Sequence, residues 1–197
     1  QKTAYEIYQC DWSSDVCSSD LVDPYGTAWG IRYALKDSPV KKVVIEAHCD
    51  EISWIIQYID KDGNIRVAKH GGSDAAIAPS KKVVIHTRKN GKVPGVFGFP
   101  AIHVRKTVDE KVLKPEELFI DCGVDSKDGV EKLGIEVGNL VTFSDTFDEM
   151  GDYYVGKSLD NKIGGYIIAE VLRNINQNNI KLPYDLYRSE EHTSELQ

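Results

Sequence analysis

The chain has 197 residues, 41% of them apolar and 28% charged, and a net charge of −7 at neutral pH, a balance that suits one globular domain or two small ones. No apolar run approaches the roughly 18 residues a membrane span needs, the opening residues lack a signal peptide's basic-then-apolar order, and no Lys/Arg stripe exists to neutralise a nucleic-acid backbone. Four cysteines in this length do not make a disulfide framework, so a membrane protein, a small secreted scaffold and a DNA binder are not expected.

Residues 1–21, QKTAYEIYQCDWSSDVCSSDL, show neither helical nor strand periodicity and hold Cys10 and Cys17 in a Ser/Asp-rich setting. Residues 188–197, RSEEHTSELQ, are equally patternless and carry His192. Both strings resemble translated sequencing-adapter DNA and are expected to lie outside the fold. They account for −5 of the net charge, which leaves only −2 for residues 22–187 and makes the acidity uninformative about partners. Cys49 and Cys122 remain, far apart and each inside an apolar run. That suits a reducing compartment and points to the cytoplasm.

Asp23-Pro24-Tyr25-Gly26 forms a turn signal, followed by a strand over Ala28–Leu35. After Asp37-Ser38-Pro39, the β-branched run Val40–Ala47 reads as a buried strand that pairs with Ala28–Leu35. From Ser53 to about Tyr153 the texture becomes all-β. Trp54–Ile59 and Ile65–Ala68 flank an Asp-Gly turn, Lys82–Arg88 and Lys92–Phe97 flank an Asn-Gly turn, and Leu118–Val124 and Asn139–Ser144 add strands. Short helices are expected at Val108–Leu118 and Lys127–Leu133, and the whole predicts a small barrel. The period then changes. Over Lys162–Ile175, the residues Ile163, Ile167, Ile168, Val171, Leu172 and Ile175 fall on one face of an amphipathic helix, and Leu182–Tyr187 opens another strand. The fold class is therefore α/β, with an α/β sheet interrupted by an inserted β module.

Two constellations carry chemistry. Glu46-Ala47-His48-Cys49-Asp50-Glu51 lies at the C-terminal end of a strand, where open α/β sheets bind ligands. Residues i and i+2 of a strand share a face, so His48 and Asp50 project together, a metal-binding imidazole beside a carboxylate able to orient it. Alone, such a pair is also an ordinary surface histidine. Gly156-Lys157-Ser158-Leu159-Asp160-Asn161-Lys162 places Asp160 just before the helix, either as an N-cap or as a rigidly held metal ligand. Gly164 and Gly165 weaken the helix start, and close packing against a strand or site would explain them. His70, His86 and His103 read as structural. No phosphate-cradling glycine loop, Gly-x-Ser-x-Gly elbow or CxxC pair is present.

The stretch Val44-Ile45-Glu46-Ala47-His48-Cys49-Asp50-Glu51-Ile52 resembles the His-x-Asp-Glu-Ile motif of the glutamyl aminopeptidases, the family of tetrahedral aminopeptidases and proteins labelled cellulase M. Gly95 to His103, Phe119-Ile120-Asp121-Cys122-Gly123, Gly138 to Phe143 and Leu159-Asp160-Asn161-Lys162-Ile163-Gly164 match further stretches in order over residues 22–187. The resemblance implies a metallopeptidase catalytic domain in two parts, 22–53 and 154–187, around a barrel-like dimerisation domain over 54–153. It implies two divalent metal ions, zinc or cobalt, with His48 on one and Asp160 bridging both. Asp50 takes its catalytic part behind the ligands by orienting His48. A water shared by the cations would attack the first carbonyl of a peptide substrate, and dimers would build homo-oligomers up to a dodecamer. Ser53 stands where many members have Gly. The family's glutamate pair, a later Asp and a late His are not matched here, because Glu190-Glu191 lies in the adapter-like string. The chain as written is therefore expected to be an inactive fragment of a metal-dependent aminopeptidase. A non-enzymatic assembly module and a glycosidase remain as alternatives.

Overall fold

The computed structural model describes residues 19–24, 27–34, 41–99, 101–104 and 113–191. Contacts divide the chain into two units, one holding the described residues up to Glu51 and from Ser158 onward, the other Ile52–Lys157. The sequence expectation for the insert was 54–153.

The larger unit is a closed six-stranded barrel. Its strands are β4 (Ser53–Ile59), β5 (Ile65–His70), β6 (Lys82–Thr87), β7 (Gly91–Phe97), β8 (Phe119–Asp121) and β9 (Leu140–Phe143), in the order β4-β5-β8-β7-β6-β9. Both expected hairpins form, β4 with β5 and β6 with β7, all antiparallel. In the first turn the Asp60 carboxylate accepts from the backbone N–H groups of Asp62 and Asn64, at 3.0 and 2.9 Å. In the second, Gly91 takes a φ of 70°, in the left-handed region that glycine adopts without a Cβ penalty. Alternate residues point inward. Trp54, Ile56, Ile65, Val67, Val83, Ile85, Phe97, Ile120 and Val141 are buried together, with Trp54 edge-on to Phe97 at 5.4 Å. Each such apolar side chain contributes about 1.5–3 kcal/mol on burial. Closure depends on Gly95 and Gly98. A Cβ on Gly95 would lie 2.8 Å from Ile120, and one on Gly98 would lie 2.1 Å from the Phe119 ring.

Helix α1 (Lys127–Lys132) starts where the Ser126 hydroxyl accepts from the Gly129 N–H. The helix expected over Val108–Leu118 is not found in its described part, which holds a single 3-10 turn at Pro115–Glu117; residues 108–112 lie outside the described residues. A proline at the first position suits such a turn. A short hairpin, β10 (Asp148–Met150) with β11 (Tyr153–Val155), was not anticipated.

The smaller unit is a four-stranded sheet ordered β1-β2-β12-β3, from β1 (Ser19–Val22), β2 (Ala28–Arg32), β3 (Lys42–His48) and β12 (Asp185–Glu191). Helix α2 (Leu159–Gln177) packs on β3, burying Ile168, Leu172 and Ile175 with Ala47, Leu182 and Leu186.

Four expectations are corrected here. The strand over Val40–Ala47 exists as β3, but it is not buried: Val43 and Val44 are 37% and 53% exposed. Among the described residues β3 pairs only with β12, so it is an edge, and a β-branched run cannot by itself separate an edge strand from a central one. Second, β2 does not pair with β3, because β12 lies between them, antiparallel to β2 and parallel to β3. Third, the expected helix face is split. Ile168, Leu172 and Ile175 face the sheet, while Ile163, Ile167 and Val171 are exposed.

Fourth, the adapter-like strings are not wholly outside the fold. Ser19, Asp20 and Leu21 form most of β1, and Arg188-Ser189-Glu190-Glu191 completes β12. Ladder hydrogen bonds are made by backbone, so a polar sequence can extend a strand. The composition still registers as buried polarity. Arg188 and Ser189 are 5% and 3% exposed, and the Ser189 hydroxyl has no hydrogen-bond partner among the described residues. Cys10, Cys17 and His192 lie outside the described residues.

Candidate functional site

The site belongs to the sheet unit and is built where β3 ends. His48 is its last residue, Asp50 follows two residues later, and the start of α2 supplies Asp160. The Nδ1 of His48 lies 2.9 Å from Asp50 Oδ1, and Nε2 lies 3.2 Å from Asp160 Oδ1. The three residues expected from the sequence therefore come together. Both His48 and Asp50 are largely buried, at 15% side-chain exposure each, whereas Asp160 is 87% exposed. The imidazole is thus anchored from inside and its outward nitrogen meets a solvent-facing carboxylate.

A neutral imidazole carries one N–H. Donated from Nδ1 to Asp50, it leaves the Nε2 lone pair pointing toward Asp160. This is the arrangement in which a carboxylate fixes the tautomer of a metal-binding histidine. Two donors in a tetrahedral zinc shell, each about 2.0–2.1 Å from the ion, stand roughly 3.3 Å apart. The 3.2 Å between Nε2 and Oδ1 fits that spacing. The residues present therefore suit one edge of a divalent cation's shell. Among the described residues no cluster of three metal-binding side chains forms, so they do not complete one.

The capping alternative for Asp160 is resolved by its neighbour. Asp160 and Asn161 have non-helical backbone angles inside the α2 span, and the peptide between them is cis. It is Asn161 whose side-chain oxygen accepts from the Gly164 N–H, at 3.1 Å, as an N-cap does three residues on. That leaves the Asp160 carboxylate turned to His48. Gly164 is explained by the same packing. A Cβ there would lie 2.1 Å from the Asn161 side-chain oxygen and 3.1 Å from the Ala47 Cβ.

The remaining histidine candidates belong to the barrel unit. His70, the last residue of β5, bonds the buried Ser53 hydroxyl at 2.9 Å. His86 is half-buried, with Nε2 3.0 Å from the Thr142 hydroxyl. His103 sits exposed in a 3-10 turn. Burial, and then the charge of Asp121, push the Cys122 thiol up. One contact was not foreseen: the Ser158 hydroxyl donates to the Glu51 carboxylate. Glu51 stood in the first motif and Ser158 in the second, but no spacing within either links them.

Residues 30–191 match the M42 glutamyl aminopeptidase family. The chain is 36% identical to FrvX of Escherichia coli over 155 residues, covering 78% of this chain and 44% of that protein. Among solved structures it is similar to an aminopeptidase of the archaeon Desulfurococcus kamchatkensis, with a TM-score of 0.83, 31% identity, and coverage of 94% of this chain and 49% of that one. It also shares the fold of the Pyrococcus horikoshii TET1 peptidase, which assembles into a tetrahedron or a large octahedral shell. There the TM-score is 0.77 and the identity 23%, over 90% of this chain and 52% of that one. The chain spans about half the length of the curated relatives it matches. With its two-part sheet, its inserted barrel and its His48–Asp160 pair, the chain belongs to the M42 glutamyl aminopeptidase family.

Proposed function

We propose that the protein is a metal-dependent aminopeptidase, and that the stretch present here supplies the first half of its active site. The observation that carries this is the His48 imidazole held between Asp50 and Asp160 at the C-terminal edge of the sheet. His48 would bind one cation through Nε2, and Asp160, open to solvent, would bridge to a second. Asp50 would accept the hydrogen bond from Nδ1–H and fix the ring. Bound divalent ions lower the pKa of water and polarise a peptide carbonyl. Zinc and cobalt both accept such nitrogen and oxygen donors. The N-terminal residue of a peptide is the substrate, the cytoplasm the compartment, and the barrel unit the element through which copies assemble. Among the described residues no helix is long and apolar enough to cross a membrane. Most of residues 1–21 and 188–197 is assigned as foreign to the protein, with the M42 match running on to residue 191.

A glycosidase would need two carboxylates across a sugar cleft and, in most families, no metal. Here the carboxylates flank a histidine instead. A chain continued past Tyr187 in the gene's own frame is expected to release aminoacyl chromogenic groups and to lose that activity in EDTA. Activity on a glycan that survives EDTA would overturn the proposal. The 197-residue chain itself is expected to show no turnover above a His48→Ala control.

A further inference from the structure

Two bridges join the end of β3 to the start of α2. The first is His48 to Asp160. The second lies three residues further along one segment and two residues earlier on the other, where the Ser158 hydroxyl donates to Glu51 Oε2. Ser158 has φ 61° and ψ 17°, the left-handed region that non-glycine residues rarely occupy. Such a residue persists where its surroundings hold it, and such positions gather at functional sites. Asp160 follows in an extended conformation, at φ −86° and ψ 108°, before the regular helix begins. The direction in which its carboxylate leaves the chain is therefore set by the backbone at 158–161.

We infer that Glu51 is a positioning residue: by holding Ser158 in its left-handed conformation it sets the approach of the Asp160 carboxylate to His48 Nε2. The described link between Glu51 and the Asp160 segment runs through Ser158. Without the acceptor, Ser158 relaxes toward ordinary backbone angles and Asp160 swings off the imidazole. The inference rests on the metal-site reading for its consequence, since ligands held by outer partners typically lose about 10–100-fold in metal affinity when those partners are removed.

The test is ring-nitrogen NMR on the metal-free, 15N-labelled full chain, with Asp160→Ala marking the His48 Nε2 resonance when the contact is lost. Glu51→Ala and Ser158→Ala are expected to move that resonance in the same direction as Asp160→Ala. Glu51→Gln, which keeps an acceptor oxygen, should leave it near the unsubstituted position. Zinc binding, titrated separately, is expected to weaken about tenfold in Glu51→Ala and to recover in Glu51→Gln. A His48 resonance unmoved in Glu51→Ala but displaced in Asp160→Ala would overturn the inference. If zinc leaves the resonance of the unsubstituted chain unchanged, the metal reading fails, while the metal-free comparison still decides the positioning role. Ser158→Gly, which tolerates the left-handed backbone, removes the hydroxyl without backbone conflict should Ser158→Ala fold poorly, and barrel amide resonances report an intact fold.

Discussion

The barrel and the sheet unit are held together by different means. The barrel closes on itself, so its six strands leave no unpaired edge, and its interior is filled by Trp54, Phe97 and a ring of Ile and Val side chains. The sheet unit is open. Among the described residues its buried apolar cluster holds Ala47, Ile168, Leu172, Ile175, Leu182 and Leu186, its edge strand β3 exposes Val43 and Val44, and its inner strand β12 buries Arg188 and Ser189. The candidate chemistry sits on the open unit. A site at a strand edge and a helix start is open to solvent at Asp160, but its geometry depends on a support that the barrel does not need.

Core truncations should separate the two units most strongly. Ile120→Ala, in a fully buried barrel position, is expected to lower stability by about 2–5 kcal/mol and to raise amide exchange around the whole barrel. Leu172→Ala removes a similar volume but should raise exchange only in β3, β12 and α2, leaving barrel amides protected. Equal loss of protection in both units from either change would erase the distinction. A smaller effect of opposite sign is expected at Ser189. Its buried hydroxyl lacks a partner among the described residues, so Ser189→Ala should stabilise the sheet unit by about 1 kcal/mol, read as slower exchange in β12. Destabilisation there would show that the hydroxyl is satisfied.

The smallest effect concerns acid. The Asn64 side chain, with the backbone N–H groups of Asn64 and Asp62 and the Arg66 charge, holds the Asp60 carboxyl below the usual carboxylate range against a smaller opposing desolvation. A depressed folded-state value means that its contribution is present at neutral pH and is lost as pH falls through that value. The β4–β5 turn should therefore loosen only in strong acid, visible as faster exchange of the Asp62 and Asn64 amides, and Asp60→Ala should remove that pH dependence.

Most of the barrel was legible because each device is local. Asp-Gly and Asn-Gly turns fix hairpins, and alternation assigns faces. The sheet was less legible because its order is set by long-range pairing. Nothing local says that β12, more than a hundred residues after β3, inserts between β2 and β3. The amphipathic face of α2 was read too broadly for a related reason, since spacing gives the apolar stripe but not how much of it a neighbour covers. At the site, His48 and Asp50 share a face by strand geometry alone, and their joining with Asp160 followed from the motif resemblance. The Glu51–Ser158 contact had no sequence signal, because it links two loops whose proximity exists only in the folded unit. The capping role of Asn161 was hidden for the same reason: the residues that displace the helix start, Asp160 and Asn161, are ordinary first-turn residues by composition.

The most direct test of the account is zinc titration of the full 197-residue chain by calorimetry, alongside His48→Ala and Asp160→Ala. A half-built site predicts weak binding at no more than one ion per chain, abolished by His48→Ala and strongly reduced by Asp160→Ala. Binding that is unchanged by His48→Ala, or two ions held tightly by the chain as it stands, would contradict it.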